Sequence, residues 1–264
     1  MDKSLRDKPI GIFDSGIGGI SVLGELIRQM PGEKYIYLAD SANAPYGDKE
    51  SGCVKEISLQ AAKLISEKGV KALVVACNTA TSVAINDIRE ELDIPVIGME
   101  PALKPAVEKG EEGKIVVMAT PLTLREEKFN NLFKKFNNAA TIIPLHCRGL
   151  VELIEEEAAG SRIIDFLQAI MKPLPLQDVS IVVLGCTHYC FIKKEIKEVI
   201  GLRPKIIDGN EGTARHLKNT LQTLGLLISE RSAGGDIQAE FCTTGDSCQI
   251  ITLCERFLKK ALSC

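Results

Sequence analysis

Short apolar runs rich in Val and Ile punctuate this chain, too brief to be helices and too continuous to be strands with one wet face. They fall at PIGIF (9–13), YIYLA (35–39), ALVVA (72–76), PVIG (95–98), KIVVM (114–118), TIIPL (141–145), IVVLG (181–185), PKIID (204–208) and AEFCT (239–243). Between them lie stretches of helical character: Ile20–Gln29, Asp48–Lys68, Ser82–Glu91, Leu122–Lys135, Leu150–Glu157, Arg162–Met171, Phe191–Val199, Gly212–Leu221 and Cys248–Leu262. A strand that is apolar on both faces must be covered on both, and helices linking consecutive strands supply that cover. The pattern predicts an α/β fold with mainly parallel sheets in three layers.

A weak internal repeat divides the pattern. GIFDSGIGG and VVMATPLTL each end an apolar strand in a polar, helix-initiating turn, about a hundred residues apart. VVACNTA and VVLGCTH then repeat strand, Cys, polar residues and helix, at Cys77 and Cys186. Parallel strands all look alike, so chance likeness is the alternative to duplication. Duplication implies two pseudo-symmetric domains. The turn-rich GMEPALKP (98–105) would make the first crossing and the segment near Ile206–Gly209 the second. The first domain would then be discontinuous, 1–97 plus 208–264, and the second would be 98–207. Ligands of such sheets sit outside the carboxyl ends of the strands, so a cleft between the two domains is the expected site.

Composition narrows the function. The 264 residues, 45% hydrophobic and 25% charged, suit one large domain or two modest ones. The 32 basic and 35 acidic residues give a formal charge of -3 without a long Lys/Arg run, so no nucleic-acid partner is expected. No apolar run reaches the roughly 20 residues of a membrane helix, and the opening MDKSLRDKPIGIF is too polar for an export signal. The nine cysteines, odd in number and irregular in spacing, therefore read as reduced thiols of a cytoplasmic protein.

Two of those thiols stand in suggestive places. Cys77 ends a strand and precedes Asn78, Thr79 and Thr81, good residues for a helix start. There the helix dipole and free N–H groups would favour thiolate. Cys186 has a similar setting before Thr187. A buried packing role is the alternative for each. The CTHYC stretch also offers Cys186, His188 and Cys190 as metal ligands, but no second pair with zinc spacing exists. His188 as an activating base for Cys186 is a further option. Residues two apart on such a turn are poorly placed to hydrogen-bond, which favours His188 as a proton-handling neighbour. DSGIGG (14–19) lacks both the P-loop ending and the G-x-G-x-x-G spacing. Asp14 is either a turn residue or a group acting on a ligand or a thiol. ADSANAPYG (39–47) offers backbone N–H groups to a carboxylate, and ATPLT offers the hydroxyls of Thr120 and Thr123. Two thiols on opposite faces of a small ligand can take a proton from one face and return one to the other, which is two-base racemisation.

GIFDSGIGGISVL, ADSANAPYGDK, VVACNTATS, PVIGMEPALKPAV, MATPLT, VVLGCTHY, IIDGNEGTAR and FCTTGD, in that order from residue 10 to about 246, resemble the bacterial glutamate racemase family. The resemblance implies two pseudo-symmetric α/β domains with the active site between them, no cofactor and no metal. It also implies a cytoplasmic homodimer acting on L- and D-glutamate, with D-glutamate going to peptidoglycan. Cys77 and Cys186 would be the opposed bases, Asp14 assisting the first, His188 and Glu155 the second. Asp14, Ser15, Tyr46, Gly47, Asn78, Thr79, Thr123, Thr187 and His188 would contact substrate. The chain departs from the family at HCRGLVELIEE, where Glu152 competes with Glu155 for the acidic role, and at Glu126 and Phe129, which replace a frequent Ser and Tyr. The alternatives are a sister racemase for aspartate or hydantoins, a single-Cys hydrolase or lyase, and a non-enzymatic binder of acidic amino acids.

Overall fold

The computed structural model describes residues 3–109, 112–136, 139–228 and 238–263. Among these residues nine strands form two sheets. The first contains β1 (Ile10–Asp14), β2 (Lys34–Ala39), β3 (Ala72–Val75), β4 (Val96–Gly98) and β9 (Gln238–Thr243), in the order β4-β3-β1-β2-β9. The second contains β5 (Lys114–Ala119), β6 (Ile142–His146), β7 (Val179–Leu184) and β8 (Lys205–Ile207), in the order β6-β5-β7-β8. Every recorded strand pairing is parallel. Reversing the second order gives β8-β7-β5-β6, which superposes in topology on β4-β3-β1-β2. The repeat read from the sequence thus corresponds to one plan used twice, β1 matching β5 and β3 matching β7. Strand β9 is the addition, covering the outer edge of β2.

The helices are α1 (Lys3–Arg6), α2 (Ile20–Gln29), α3 (Ser51–Ser66), α4 (Asn78–Glu91), α5 (Leu103–Glu108) and α6 (Pro121–Arg125). They continue with α7 (Glu127–Phe136), α8 (Leu150–Glu155), α9 (Gly160–Met171), α10 (Lys193–Ile200), α11 (Asn210–Thr223) and α12 (Ser247–Ser263). Two apolar clusters are peripheral: one joins the outer face of the first sheet to α3 and α4, the other joins the outer face of the second to α5 and α7. The third and largest runs through the middle. It unites Ile17, Ile20 and Leu23 of the α2 region with Leu150, Ile154, Tyr189 and Ile192 beyond the second sheet, and with Phe257 of α12. Burying apolar side chains there holds the two sheets against one another. None of the helices in the described residues is long and apolar enough to cross a membrane.

All nine expected strands are present, and the helices differ in instructive ways. The expected Leu122–Lys135 helix is two, because Glu126 takes an extended conformation (ψ 144°) between α6 and α7. Helix α4 starts at Asn78 rather than Ser82, since Cys77 itself caps it. The expected turn at 98–105 already contains the first residues of α5.

Candidate active site

The chain order reverses between β1 and β3 in the first sheet and between β5 and β7 in the second. Such switch points open a crevice at the strands' carboxyl ends, where ligands bind. Asp14 ends β1, Cys77 follows β3, Thr120 follows β5 and Cys186 follows β7. The two switch points face one cleft, a concave setting of the kind small-molecule sites favour. Ser15, Tyr46, Gly47, Cys77, Asn78 and Thr79 line it from the first sheet's side. Thr120, Arg148, Glu152, Glu155, Cys186, Thr187 and His188 line it from the second's.

Cys77 is the N-cap of α4, and its Sγ accepts the Ala80 N–H at 3.4 Å. The thiol donates to Ser15 Oγ at 3.5 Å, and Ser15 donates to Asp14 Oδ1 at 3.3 Å. The sequence predicts a thiol tilted toward thiolate, and the structure overturns that. Burial pushes the Cys77 thiol up to about 12, the Asp14 charge adds to the rise, and the helix N–H offsets only part of it. The resting thiol is protonated. Asp14 is wholly buried behind the cleft wall and also accepts the Gly16 N–H at 3.0 Å and the Thr187 hydroxyl at 3.0 Å. Burial raises its pKa, against the opposing pull of His188. Asp14 therefore stands one residue back from the cleft and joins its two sides, through Ser15 to Cys77 and through Thr187 to the segment bearing Cys186.

Cys186 stands differently. It precedes a 3-10 segment, Thr187–Ile192, and makes no side-chain cap bond. The tight turn brings His188 Nδ1 to 3.7 Å from Cys186 Sγ, a contact that the two-residue separation argued against. The other ring nitrogen, Nε2, lies 2.8 Å from Glu155 Oε1 at the end of α8. Burial alone would lower the His188 pKa, but its hydrogen bonds to Cys186 and Glu155 outweigh burial and hold it well above the ordinary value. Glu155 is resisted by burial yet ends below its ordinary value, because of His188 and the Ile17 N–H at 3.3 Å. Of the two acidic candidates, Glu155 is the one that meets His188; Glu152 lines the cleft nearby. Such close packing needs glycine at residue 18, where a Cβ would overlap His188 Nδ1 and Thr187 Oγ1.

Three threonines meet across the cleft floor. Thr79 Oγ1 lies 3.0 Å from both Thr120 Oγ1 and Thr123 Oγ1, which are 2.9 Å from each other. Thr123, expected at the substrate, is fully buried behind this triangle, and Thr120 takes the place on the cleft wall. The sequence offered both hydroxyls in ATPLT but held nothing to say which one faces the cleft. Asn78 Oδ1 is buried on the cleft wall without a partner among the described residues, an acceptor suited to a ligand N–H. Cys190 turns the other way, toward Asn210 Nδ2 at 3.7 Å. Among the described residues no three His, Cys, Asp or Glu side chains gather as metal ligands.

The sequence profile of the Asp/Glu/hydantoin racemases matches residues 20–217. A glutamate racemase of Clostridium botulinum is 51% identical over 232 residues, 88% of this chain and 90% of that one. The chain belongs to the Asp/Glu/hydantoin racemase family. Its fold is also that of solved family members. The glutamate racemase of Francisella tularensis, crystallised with D-glutamate, superposes with a TM-score of 0.82 at 28% identity, covering 96% of this chain and 94% of that one. A Bacillus anthracis glutamate racemase isoform does so with a TM-score of 0.81 at 30% identity, over 96% and 95%. Within the racemase family frame, the paired thiols and the doubled topology have one explanation: each half contributes one thiol from the same topological position.

Proposed function

We infer that this protein is an isomerase that interconverts L- and D-glutamate by proton transfer at Cα, supplying D-glutamate for peptidoglycan. The observation that carries this reading is the placement of one thiol from each sheet on a single small cleft. The kinship with glutamate racemases, one of them bound to D-glutamate, supports the choice of substrate.

In this mechanism the Cys77 proton first passes by way of Ser15 to Asp14. The thiolate removes the Cα proton of D-glutamate while the Cys186 thiol returns one to the opposite face, and the roles exchange for L-glutamate. Asp14 orients Cys77 by way of Ser15. His188, held by Glu155, exchanges a proton with Cys186. Substrate carboxylates meet Ser15, the Tyr46–Gly47 backbone, Thr79, Thr187 and the Thr120 hydroxyl, which Thr123 supports from behind, and Asn78 Oδ1 receives the ammonium. A thiol kept protonated by burial is strongly basic once ionised, which helps it take a weakly acidic proton in a dry site. The chain divides around its two sheets close to the expected 1–97 plus 208–264 and 98–207, with Gly98 kept in the first unit as the end of β4. It works as a homodimer in the cytoplasm, and light scattering at micromolar concentration tests the assembly.

Incubation with L-glutamate in D2O should give D-glutamate deuterated at Cα. No deuteration and no change in optical rotation, under reducing conditions, would overturn the reading. Cys77→Ser and Cys186→Ser should each lower racemisation by about 10³-fold or more, since a serine hydroxyl is a far poorer base. Normal activity in either variant would contradict the two-thiol route. Aspartate as a parallel substrate separates this enzyme from its sister racemases.

A further inference from the structure

The loop that brings Tyr46 and Gly47 to the cleft is gripped from the far end of the chain. Asp40 follows β2 and is buried. Its carboxylate receives the Tyr46 hydroxyl, the Asn43 amide at 3.0 and 3.1 Å, and the Thr244 hydroxyl at 2.7 Å. Thr244 arrives there because β9 runs parallel to β2 with Thr243 beside Ala39. Its backbone N–H bonds to Ala39 O at 3.2 Å, and its Oγ1 accepts the Ala42 N–H at 3.2 Å. Next to it, Thr243 Oγ1 is 2.6 Å from Ser41 Oγ and accepts the Gly245 N–H at 3.1 Å. One hydroxyl at residue 244 thus donates to Asp40 and accepts from Ala42 at once, which no apolar side chain of the same shape can do.

The grip reaches the cleft by a short route. Asp40 holds Tyr46, a buried ring whose neighbour Gly47 is pressed so close to the second sheet's side that a Cβ there would sit 2.6 Å from Thr120 Cβ. A loop packed that tightly transmits small displacements. Thr244 itself is exposed and outside the cleft lining, so its influence must pass through Asp40 and Ala42.

We propose that Thr244 is a positioning residue of the glutamate site, fixing the loop whose Tyr46–Gly47 backbone receives a substrate carboxylate. The proposal rests on the reading of that backbone as a carboxylate contact. The loop carries no group that handles the Cα proton, so loosening it weakens ground state and transition state together. That is a loss of uniform binding, which raises KM and spares kcat.

Thr244→Val keeps the branched shape and removes the hydroxyl; Thr244→Ser keeps the hydroxyl. In the full-length protein, Thr244→Val should raise KM for both enantiomers by about 3- to 10-fold with kcat within about 2-fold, the scale of one lost hydrogen bond. Thr244→Ser should restore wild-type KM. Amide exchange across residues 40–47, measured without substrate, should quicken in Thr244→Val and not in Thr244→Ser. Unchanged KM in Thr244→Val, a KM rise that Ser does not restore, or exchange indifferent to the hydroxyl would each overturn the proposal. A wild-type enzyme inert toward glutamate would instead sink the functional reading, and the exchange result would still decide whether Thr244 holds the loop.

Discussion

Cys77 and Cys186 occupy the same place in two copies of one topology, yet their chemistry is set by different neighbours. Cys77 leans on a serine, a helix N–H and a buried carboxylate, whereas Cys186 leans on an imidazole that is itself held by Glu155. Burial keeps Cys77 protonated, so iodoacetamide at pH 8 should label exposed Cys53 and Cys248 at least about 10-fold faster than Cys77 in the folded protein, since only thiolate reacts. Peptide mass spectrometry over a time course reads this directly; Cys77 labelling first would contradict it. The two thiols were legible because a Cys at a strand end beside Asn and Thr is a local pattern. The ionisation of Cys77 was not, because desolvation is summed over side chains from both halves of the fold. The same limit explains Thr123. Only Pro121 and Leu122 separate it from Thr120, and only the packed structure determines which of the two faces the cleft.

Elements carry the next layer of control. The last turn of α8 delivers Glu155 to His188, and the 3-10 segment after β7 turns His188 back onto Cys186. Glu155→Gln keeps a hydrogen-bonding group at that position but removes the charge that helps hold His188 protonated. The His188 pKa should then fall, so the limb of the kcat pH profile that reports it should shift toward acid. An unmoved profile would separate Glu155 from the proton route. The inner strands β1, β2, β3, β5 and β7 were legible because burial on both faces leaves an apolar run, and the partly buried β6, β8 and β9 were legible from shorter apolar stretches. The 3-10 segment was not: THYCFI has no periodic signature distinguishing it from the first turn of an ordinary helix. The break at Glu126 was equally silent, since the residues on both sides favour helix and packing against the second sheet decides the bend.

At the scale of the whole molecule, the sheet ends opposite the cleft contain a second concentration of charge. Lys71 is buried and its ammonium donates to Glu33 at 2.5 Å, Arg6 O at 2.7 Å and Leu226 O at 2.9 Å, while Glu33 also receives the Ile228 N–H at 2.8 Å. This ties the chain's beginning, the start of β3 and the segment after α11 into one point. Lys71→Met should strand the Glu33 charge and cost about 3–5 kcal/mol, whereas pairing it with Glu33→Leu should recover much of the loss. Urea midpoints of the single and double variants test this, and specific activity of the folded fraction should stay within about 2-fold, because the cleft lies at the other end of the strands. The α/β class and the doubled plan could be read from the sequence. The clamp could not, since its partners lie up to 195 residues apart.

Strand β9 gives the molecule a birth order. Strands β1 to β8 are complete by Ile207, whereas β9 begins at Gln238. A ribosome releases the chain in that sequence, and early segments fold as they appear. Both thiols can therefore take their places in their sheets while the loop that carries Tyr46 and Gly47 to the cleft still lacks Thr243 and Thr244. The nascent protein sets both thiols first and ties down the loop beside them last.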